Sequence, residues 1–321
     1  MKKKNSHQAS GFSLVELMIA LVLGTLIVGG MISVFISSKQ TYNNNDRLAR
    51  LQENGRMALY YLTNDLRHAN FWGPLVNVQS IGSFPANSLT GTCAAWASTD
   101  IPVPSNPNQF IGSSTPKTHP LFTTNCLDPA DIKDNTSAVA IKRVSQGPVN
   151  FTTDLSRGDV FLRTNSVSGK LLVKGVGDGS TAPPGGFSDW EYEPKLYFIR
   201  PYSVRVQDDI PTLCSVQDNP NIQTQCFVEG IEDMHIEYGV DQSEDGVPDV
   251  YQSDPSATEM LNVVSIKVYL LVRDLTPDST YQNTDSYQLG SKSISALNDH
   301  FHRTVFSTTV IPQTQRSLPV R

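Results

Sequence analysis

One stretch limits what the rest of the chain can be. From Phe12 to Ile36 the sequence runs 25 residues, FSLVELMIALVLGTLIVGGMISVFI, with Glu16 as the only charged side chain. At ~1.5 Å per residue a helix of that length covers about 37 Å, enough to cross a hydrocarbon core of about 30 Å. Lys2, Lys3 and Lys4 stand just before the run, and Lys39 and Arg47 follow it. A short, tightly packed basic flank stays on the cytoplasmic side, so the C-terminal body is expected to be exported. A secretory signal peptide would have an apolar core of about 7–15 residues ending in small residues at a cleavage site. This run is longer and has no Ala-x-Ala end. A plain signal anchor explains the length but not the acid, because a carboxylate inside a membrane segment is costly and usually functional.

Proline divides the chain. The first of the 20 prolines is Pro74, so a helix-compatible front precedes a proline-punctuated body. Within the front, RLARLQENGRMALYYLTNDLRHA places Leu48, Leu51, Gly55, Ala58, Leu62, Leu66 and Ala69 at steps of three and four. That spacing predicts one apolar stripe on a helix packed against its own body, with Asp46, Arg50, Glu53, Arg56 and Asp65 mostly off the stripe. Helix-weak residues at Gly24, Gly29, Gly30 and Asn43–Asp46 mark places where such a helix can bend.

The body reads as strands. Runs beginning at Ala138 (AVAIKRV), Asp159 (DVFLRT), Lys170 (KLLVK), Lys195 (KLYFIRPYSVRV), Met234 (MHIEYGV), Asn262 (NVVSIKVYLLV) and Arg303 (RTVFSTTVI) are separated by turn-rich text. Met234, Ile236, Tyr238 and Val240 alternate, as do Val264, Ile266, Val268, Leu270 and Val272, which predicts strands with one buried face. One long helix ahead of many strands is an α+β layout with the sheet covering the helix. Residues 80–135, rich in Ser, Thr, Asn and Pro, read as a long functional or disordered segment.

The net charge of −6 becomes −9 once the three leader lysines are set aside. A body that acidic argues against nucleic-acid binding, which needs clustered Lys and Arg. The four cysteines, Cys93, Cys126, Cys214 and Cys226, would sit in an oxidising compartment, where an even count points to disulfides. Three connectivities are open. The local pairs Cys214–Cys226, closing a short loop ahead of a strand, and Cys93–Cys126, stapling the irregular segment, are the expected ones. The text DQSEDGVPDVY offers one metal candidate: Asp241, Ser243 and Asp245 alternate, Gly246 follows, Val247 can offer a backbone carbonyl, and Asp249 lies beyond. This is the front half of a calcium loop, but its twelfth position is Gln252 instead of the bidentate Glu, leaving Glu244 or Glu259 as substitutes. A solvated acidic hairpin loop accounts for the same residues. His300 and His302 form a His-x-His beside Asp299 without an evident third ligand, and read as turn residues. The text SVSGK at Ser166 lacks the glycine spacing of a phosphate loop, and no hydrolase or zinc-protease motif occurs, so an enzyme is not expected.

The opening text GFSLVELMIALVLG resembles the prepilin signature of type IV pilins and type II secretion pseudopilins: a short basic leader, Gly, a cut, Phe, and Glu as the fifth mature residue. The resemblance implies a class III signal with a leader at 1–11, cleavage after Gly11 by a prepilin peptidase, and N-methylation of Phe12. It also implies a transmembrane or filament-core helix at 12–36, an amphipathic continuation at 37–73, and a β-rich body at 74–321. Glu16 would pair with the new α-amine of Phe12 on a neighbouring subunit. NGRMALYYLTNDLRHANFWG resembles the PilW-type minor pilins, with later echoes in IEDMHIEYGVD, DGVPDVY and RTVFSTTV. That implies a chain held in the inner membrane with its body in the periplasm, later incorporated into a surface pilus. Its partners would be other minor and major pilins and an inner-membrane assembly platform, in a tip or priming complex serving motility, adhesion or DNA uptake. A secretion pseudopilin and a non-polymerising calcium-dependent adhesin are the alternatives.

Overall fold

The computed structural model describes residues 13–75, 81–82, 110–113, 127–218, 222–256 and 258–312. The front is a single helix, α1 (Leu14–Arg67), of 54 residues. Neither Gly24, Gly29 and Gly30 nor the Asn43–Asp46 stretch interrupts it. Its start is capped reciprocally: the Glu16 N–H donates to Ser13 Oγ and the Ser13 N–H donates to the Glu16 carboxylate, both at 3.4 Å. This Ser-x-x-Glu arrangement is a capping box, satisfying two amides that would otherwise have no partner. The helix stops where Asn70 takes a left-handed φ of 61° and Gly73 one of 62°. Asn is one of the few residues that tolerates that conformation at a helix C-terminus. At Gly73 a Cβ would also lie 2.9 Å from the Trp190 ring.

The chain divides into two compact units, 1–50 and 51–321. In the first, the large apolar side chains from Leu14 to Ile36 are each half or more exposed. In the second, the helix from Leu51 onward buries Leu51, Gly55, Ala58, Leu62 and Leu66, followed by Ala69. This is the predicted stripe, except that Leu48 is exposed. Asp65 departs from the expectation for the charged residues: it is buried.

The strands follow as β1 (Ile81–Gly82), β2 (Phe110–Ser113), β3 (Ala138–Ile141), β4 (Val160–Thr164), β5 (Gly169–Val173), β6 (Ser188–Glu191), β7 (Lys195–Arg200), β8 (Thr212–Asp218), β9 (Ile222–Glu229), β10 (Ile231–Val240), β11 (Val250–Gln252), β12 (Val263–Arg273), β13 (Tyr287–Leu289), β14 (Lys292–Ile294) and β15 (Arg303–Val310). They form sheets ordered β1-β5-β4-β6, β2-β3-β7-β8-β9 and β11-β10-β12-β15, plus the hairpin β13-β14. All described pairings are antiparallel except β1 with β5. An α+β fold, with one long helix ahead of antiparallel sheets, is the observed architecture.

The main core joins the helix stripe to two sheets. Leu51, Ala58, Leu62 and Leu66 pack with Val139, Tyr197, Ile199 and Leu213 of the five-stranded sheet and with Met234, Ile236, Val268 and Leu270 of the β10–β12 sheet. The helix approaches β15 so closely that a Cβ on Gly55 would lie 2.5 Å from the Phe306 ring. The β7 side chains Leu196 and Phe198 turn to a second cluster with Ala138, Ala140 and Val216, so this sheet is buried on both faces. The β4–β5 sheet has its own core around Trp72, Leu162, Leu171 and Tyr192, with Trp72 and Tyr192 stacked at 5.8 Å.

Two expectations change here. KLYFIRPYSVRV is a strand only to Arg200; residues 201–211 form a loop. The Asp208 carboxylate accepts the N–H groups of Ser203, Val204, Arg205 and Ile210 at 2.8–3.0 Å, which takes those amides out of any ladder. Alternation along β10 predicted one solvated face, yet all ten of its residues are buried. The β13–β14 hairpin covers the polar side. Ser291 N–H donates to Glu237 at 2.6 Å, Lys292 pairs with Asp233 at 2.6 Å, and His235 Nε2 lies 3.3 Å from Ser291 Oγ. Burial alone would push the Asp233 carboxyl above its ordinary value, and Lys292 draws it partly back.

Candidate functional site

The two units offer different features: an exposed apolar surface in the first and a buried charge network in the second. The first unit supplies the surface. Its helix is long and apolar enough to cross a membrane, and its side chains make no core of their own. Among the described residues Glu16 bonds only Ser13, so its carboxylate is available to a further partner. The Gly11–Phe12 step lies outside the described residues, and so do Cys93 and Cys126. The spacing Ser13-x-x-Glu16 is legible as a helix start, a local role for Glu16 that the prepilin pattern alone does not reveal.

In the second unit the central charged residue is Asp65. That carboxylate accepts from Lys195 Nζ at 2.8 Å and from the Tyr197 hydroxyl, and Arg143 Nη2 lies 3.4 Å away. Arg143 also pairs with Glu193 at 2.7 Å. Burial, then the Asp65 charge, hold the Tyr197 phenol far above its ordinary range, so it stays protonated and donates to Asp65. One acid on the helix thus meets groups from β7 and from the chain just after β3. Removing Asp65 from this network leaves the buried Tyr197 hydroxyl and the half-buried Lys195 without their partner, while Arg143 keeps Glu193.

Cys214 and Cys226 are joined, as expected. They do not flank a loop ahead of a strand, however. They sit directly opposite each other on β8 and β9, and Cys214 is fully buried against Phe198 and Val216. The bridge ties the edge strand β9 to its neighbour, restraining a strand with one unpaired side.

The acidic loop between β10 and β11 is ordered by its own carboxylates. Asp241 accepts from Gly246 N–H at 2.6 Å and Asp245 N–H at 3.2 Å. Asp249 accepts from Gln242 and Ser243 N–H at 2.7 and 2.9 Å, and these bonds hold its carboxyl below the ordinary value. Asp245 accepts from Val247 N–H at 2.8 Å. Gly246 has a φ of 86°, the sharp turn expected of it. Among the described residues no group of three or more His, Cys, Asp or Glu side chains converges as a metal set. His300 Nδ1 lies against the Tyr281 carbonyl at 2.5 Å, and His302 stacks on Tyr281 with Nε2 3.3 Å from Asp278. These histidines serve the packing of the 278–302 segment.

With this geometry in view, comparison with known proteins is informative. A model of the prokaryotic N-terminal methylation motif matches residues 6–32. A model described as type IV pilus-assembly protein W matches residues 197–311, the stretch from the Asp65 partner Tyr197 through the end of β15. A type IV-like pilin from Thermus thermophilus aligns at 10% identity over 83% of this chain and 97% of its own, with a TM-score of 0.37. No curated protein matches. A methylation motif on an exposed apolar helix, ahead of a β-rich body, fits a membrane-anchored pilin of the type IV kind. Residues 197–311 thus resemble the PilW family of type IV pilus-assembly proteins, and residues 6–32 carry the methylation motif.

Proposed function

We propose that this pilin is a minor pilin, made as a prepilin, cut after Gly11, methylated at Phe12, and inserted into the pilus as part of a tip or priming complex with other pilins. The observation that carries the reading is the helix from Leu14 to Ile36, exposed along its length and carrying an acid one turn from the new N-terminus. Apolar surface on that scale requires a membrane or other helices as cover. A buried Glu16 requires a positive partner, which the Phe12 α-amine of a neighbour supplies. Mass spectrometry of the membrane protein tests the processing. An N-terminal methyl-Phe at position 12 is expected, and an intact leader in cells with an active prepilin peptidase overturns it. Prepilin peptidase, major and minor pilins and the inner-membrane platform are the partners this reading names.

For the loop of Asp241, Ser243, Asp245, Val247 and Asp249, a weak structural calcium site is the accompanying proposal, supported by the residue order and by the Gly246 turn. Calorimetry at millimolar Ca²⁺ should show heat that Asp245→Ala removes. Absence of heat leaves the three carboxylates as anchors for backbone N–H groups and nothing more.

A further inference from the structure

The second unit carries two exposed patches of opposite character. On the helix, Arg56, Met57, Tyr60, Tyr61, Asn64 and Arg67 face solvent, with Tyr60 69% and Met57 42% exposed. Between Asn54 and His68 the only acid is the buried Asp65, so the exposed charges there are Arg56 and Arg67. Neither of them has an ion-pair partner among the described residues. Leu59, Tyr60, Thr63, Asn64 and Arg67 line a shallow groove on this face. Tyr61 is braced edge-on against Phe227 of β9 at 4.8 Å, which fixes one side of the patch. Tyr, Arg and Met are the residues enriched at interface centres.

The other patch is the 241–249 loop. Glu244, Asp245, Val247 and Asp249 are exposed, Val247 at 60%. No Lys or Arg occurs between Arg205 and Lys267, so no cation of its own strand or loop offsets those acids. The Asp241, Asp245 and Asp249 bonds to backbone N–H groups hold the loop in shape before any contact, which lowers the ordering cost of docking.

On one molecule the start of the helix patch and the loop lie toward opposite ends of β10. Asn54, two residues before Arg56, donates from Nδ2 to the Glu229 carbonyl at 3.0 Å, and β10 starts two residues later at Ile231. The loop leaves β10 at its opposite end, past Val240. Nine residue steps along a strand are about 30 Å. Complementary patches that are apart on one copy make a heterologous contact, which leaves a free patch at each end and continues as an open series.

We propose that the helix face from Arg56 to Arg67 is the seat for the 241–249 loop of a second copy of this chain. Val247 enters the groove beside Tyr60, and Glu244, Asp245 and Asp249 face Arg56 and Arg67. The inference rests on the reading of the chain as a polymerising pilin.

Two differently tagged full-length chains made together, one Tyr60→Cys and the other Val247→Cys, test this by oxidation of intact membranes in the presence of a chelator. A disulfide-linked dimer carrying both tags is expected, with neither variant linking to itself. Adding Arg56→Glu and Arg67→Glu to the first chain should lower the yield about tenfold, because like charges then face each other. Adding Glu244→Lys and Asp245→Lys to the second should restore it. Absence of the two-tag dimer, self-linking of the Tyr60→Cys chain, linkage only to a different pilin, or indifference to charge reversal overturns the proposal. The sheared filament fraction separates the two levels: a chain present in filaments but not cross-linked sinks this contact alone, and a chain absent from filaments sinks the polymerising reading with it.

Discussion

Glu16 and Asp65 are two acids on one helix, and the same side-chain chemistry is put to opposite uses. Glu16 sits in an exposed apolar stretch and bonds only Ser13 among the described residues. Asp65 sits in a buried stretch and is surrounded by Lys195, Tyr197 and Arg143. Among the described residues the first acid has only its cap partner Ser13, whereas the second is complete within its own unit. The residues around them differ in the same way. From Leu14 to Ile36 apolar side chains go all round the helix, a pattern that calls for apolar surroundings on every side. From Leu51 to Leu66 they form one stripe, which needs cover on one side only and finds it in two sheets.

Four substitutions and one titration would break or sharpen that contrast. Glu16→Ala should leave the melting temperature of the full chain in detergent unchanged while lowering its share of sheared filaments by at least about tenfold, as expected when an acid's only charged partner lies on another subunit. Equal recovery of both chains in filaments would end the pairing role. Asp65→Ala should do the reverse at the level of the fold, costing about 3–5 kcal/mol in denaturant unfolding, because the buried Tyr197 hydroxyl and the half-buried Lys195 lose their partner and Arg143 keeps only Glu193. A loss below about 1 kcal/mol would make Asp65 an ordinary surface acid. Replacing Cys214 and Cys226 together by alanine should cost about 2–3 kcal/mol, from the released loop entropy of the unfolded chain. That loss should be nearly additive with Asp65→Ala if the two sites are independent, as a double-mutant cycle would show. Gly55→Val should cost about 1–3 kcal/mol, since its Cβ lies on the Phe306 ring and the helix must move or the ring must turn. The same change at Gly29, where a Cβ meets nothing, should leave the fold unaffected.

The smallest effect concerns pH. Burial pushes the His235 ring below its ordinary value of 6.5, with Glu237 partly opposing. The folded ring therefore stays neutral where the unfolded ring has taken up a proton. The unfolded state binds more protons in that window, so stability falls as the pH drops below 6.5. The Asp233 carboxyl, raised by burial, works in the opposite sense at lower pH. The difference between the wild type and His235→Gln isolates the ring: the melting temperature of the variant should fall less between pH 7 and pH 5, on the order of a degree or two. Identical slopes would show the ring exposed in solution.

Much of the first unit was readable beforehand because its signals are local. Length, hydropathy, the position of Glu16 and the lack of proline are all properties of adjacent residues, and so is the Ser13-x-x-Glu16 cap once it is looked for. The body was readable where alternation was strong, as in β10 and β12. It was not readable at β8 and β9, whose Gln, Thr and Ser content hides them, so that Cys214 and Cys226 looked like loop residues. The loop at 201–211 was mistaken for strand because Val204 and Val206 alternate; only the captured amides around Asp208 show otherwise. Asp65 was placed with the solvated charges for a related reason. Its helical angle alone cannot reveal that Lys195 and Tyr197, about 130 residues away in sequence, converge on it.

The sequence by itself determined the apolar run, the helix and the likeness to the prepilin signature, because each is carried by residues adjacent in the chain. Tertiary structure alone decided which acid is structural, why position 55 must be glycine, how a polar strand face is buried under a hairpin, and which surfaces remain for partners. Each of those depends on groups far apart in the chain meeting at a few ångströms. Burial and hydrogen-bond satisfaction are properties of that meeting and not of any residue alone.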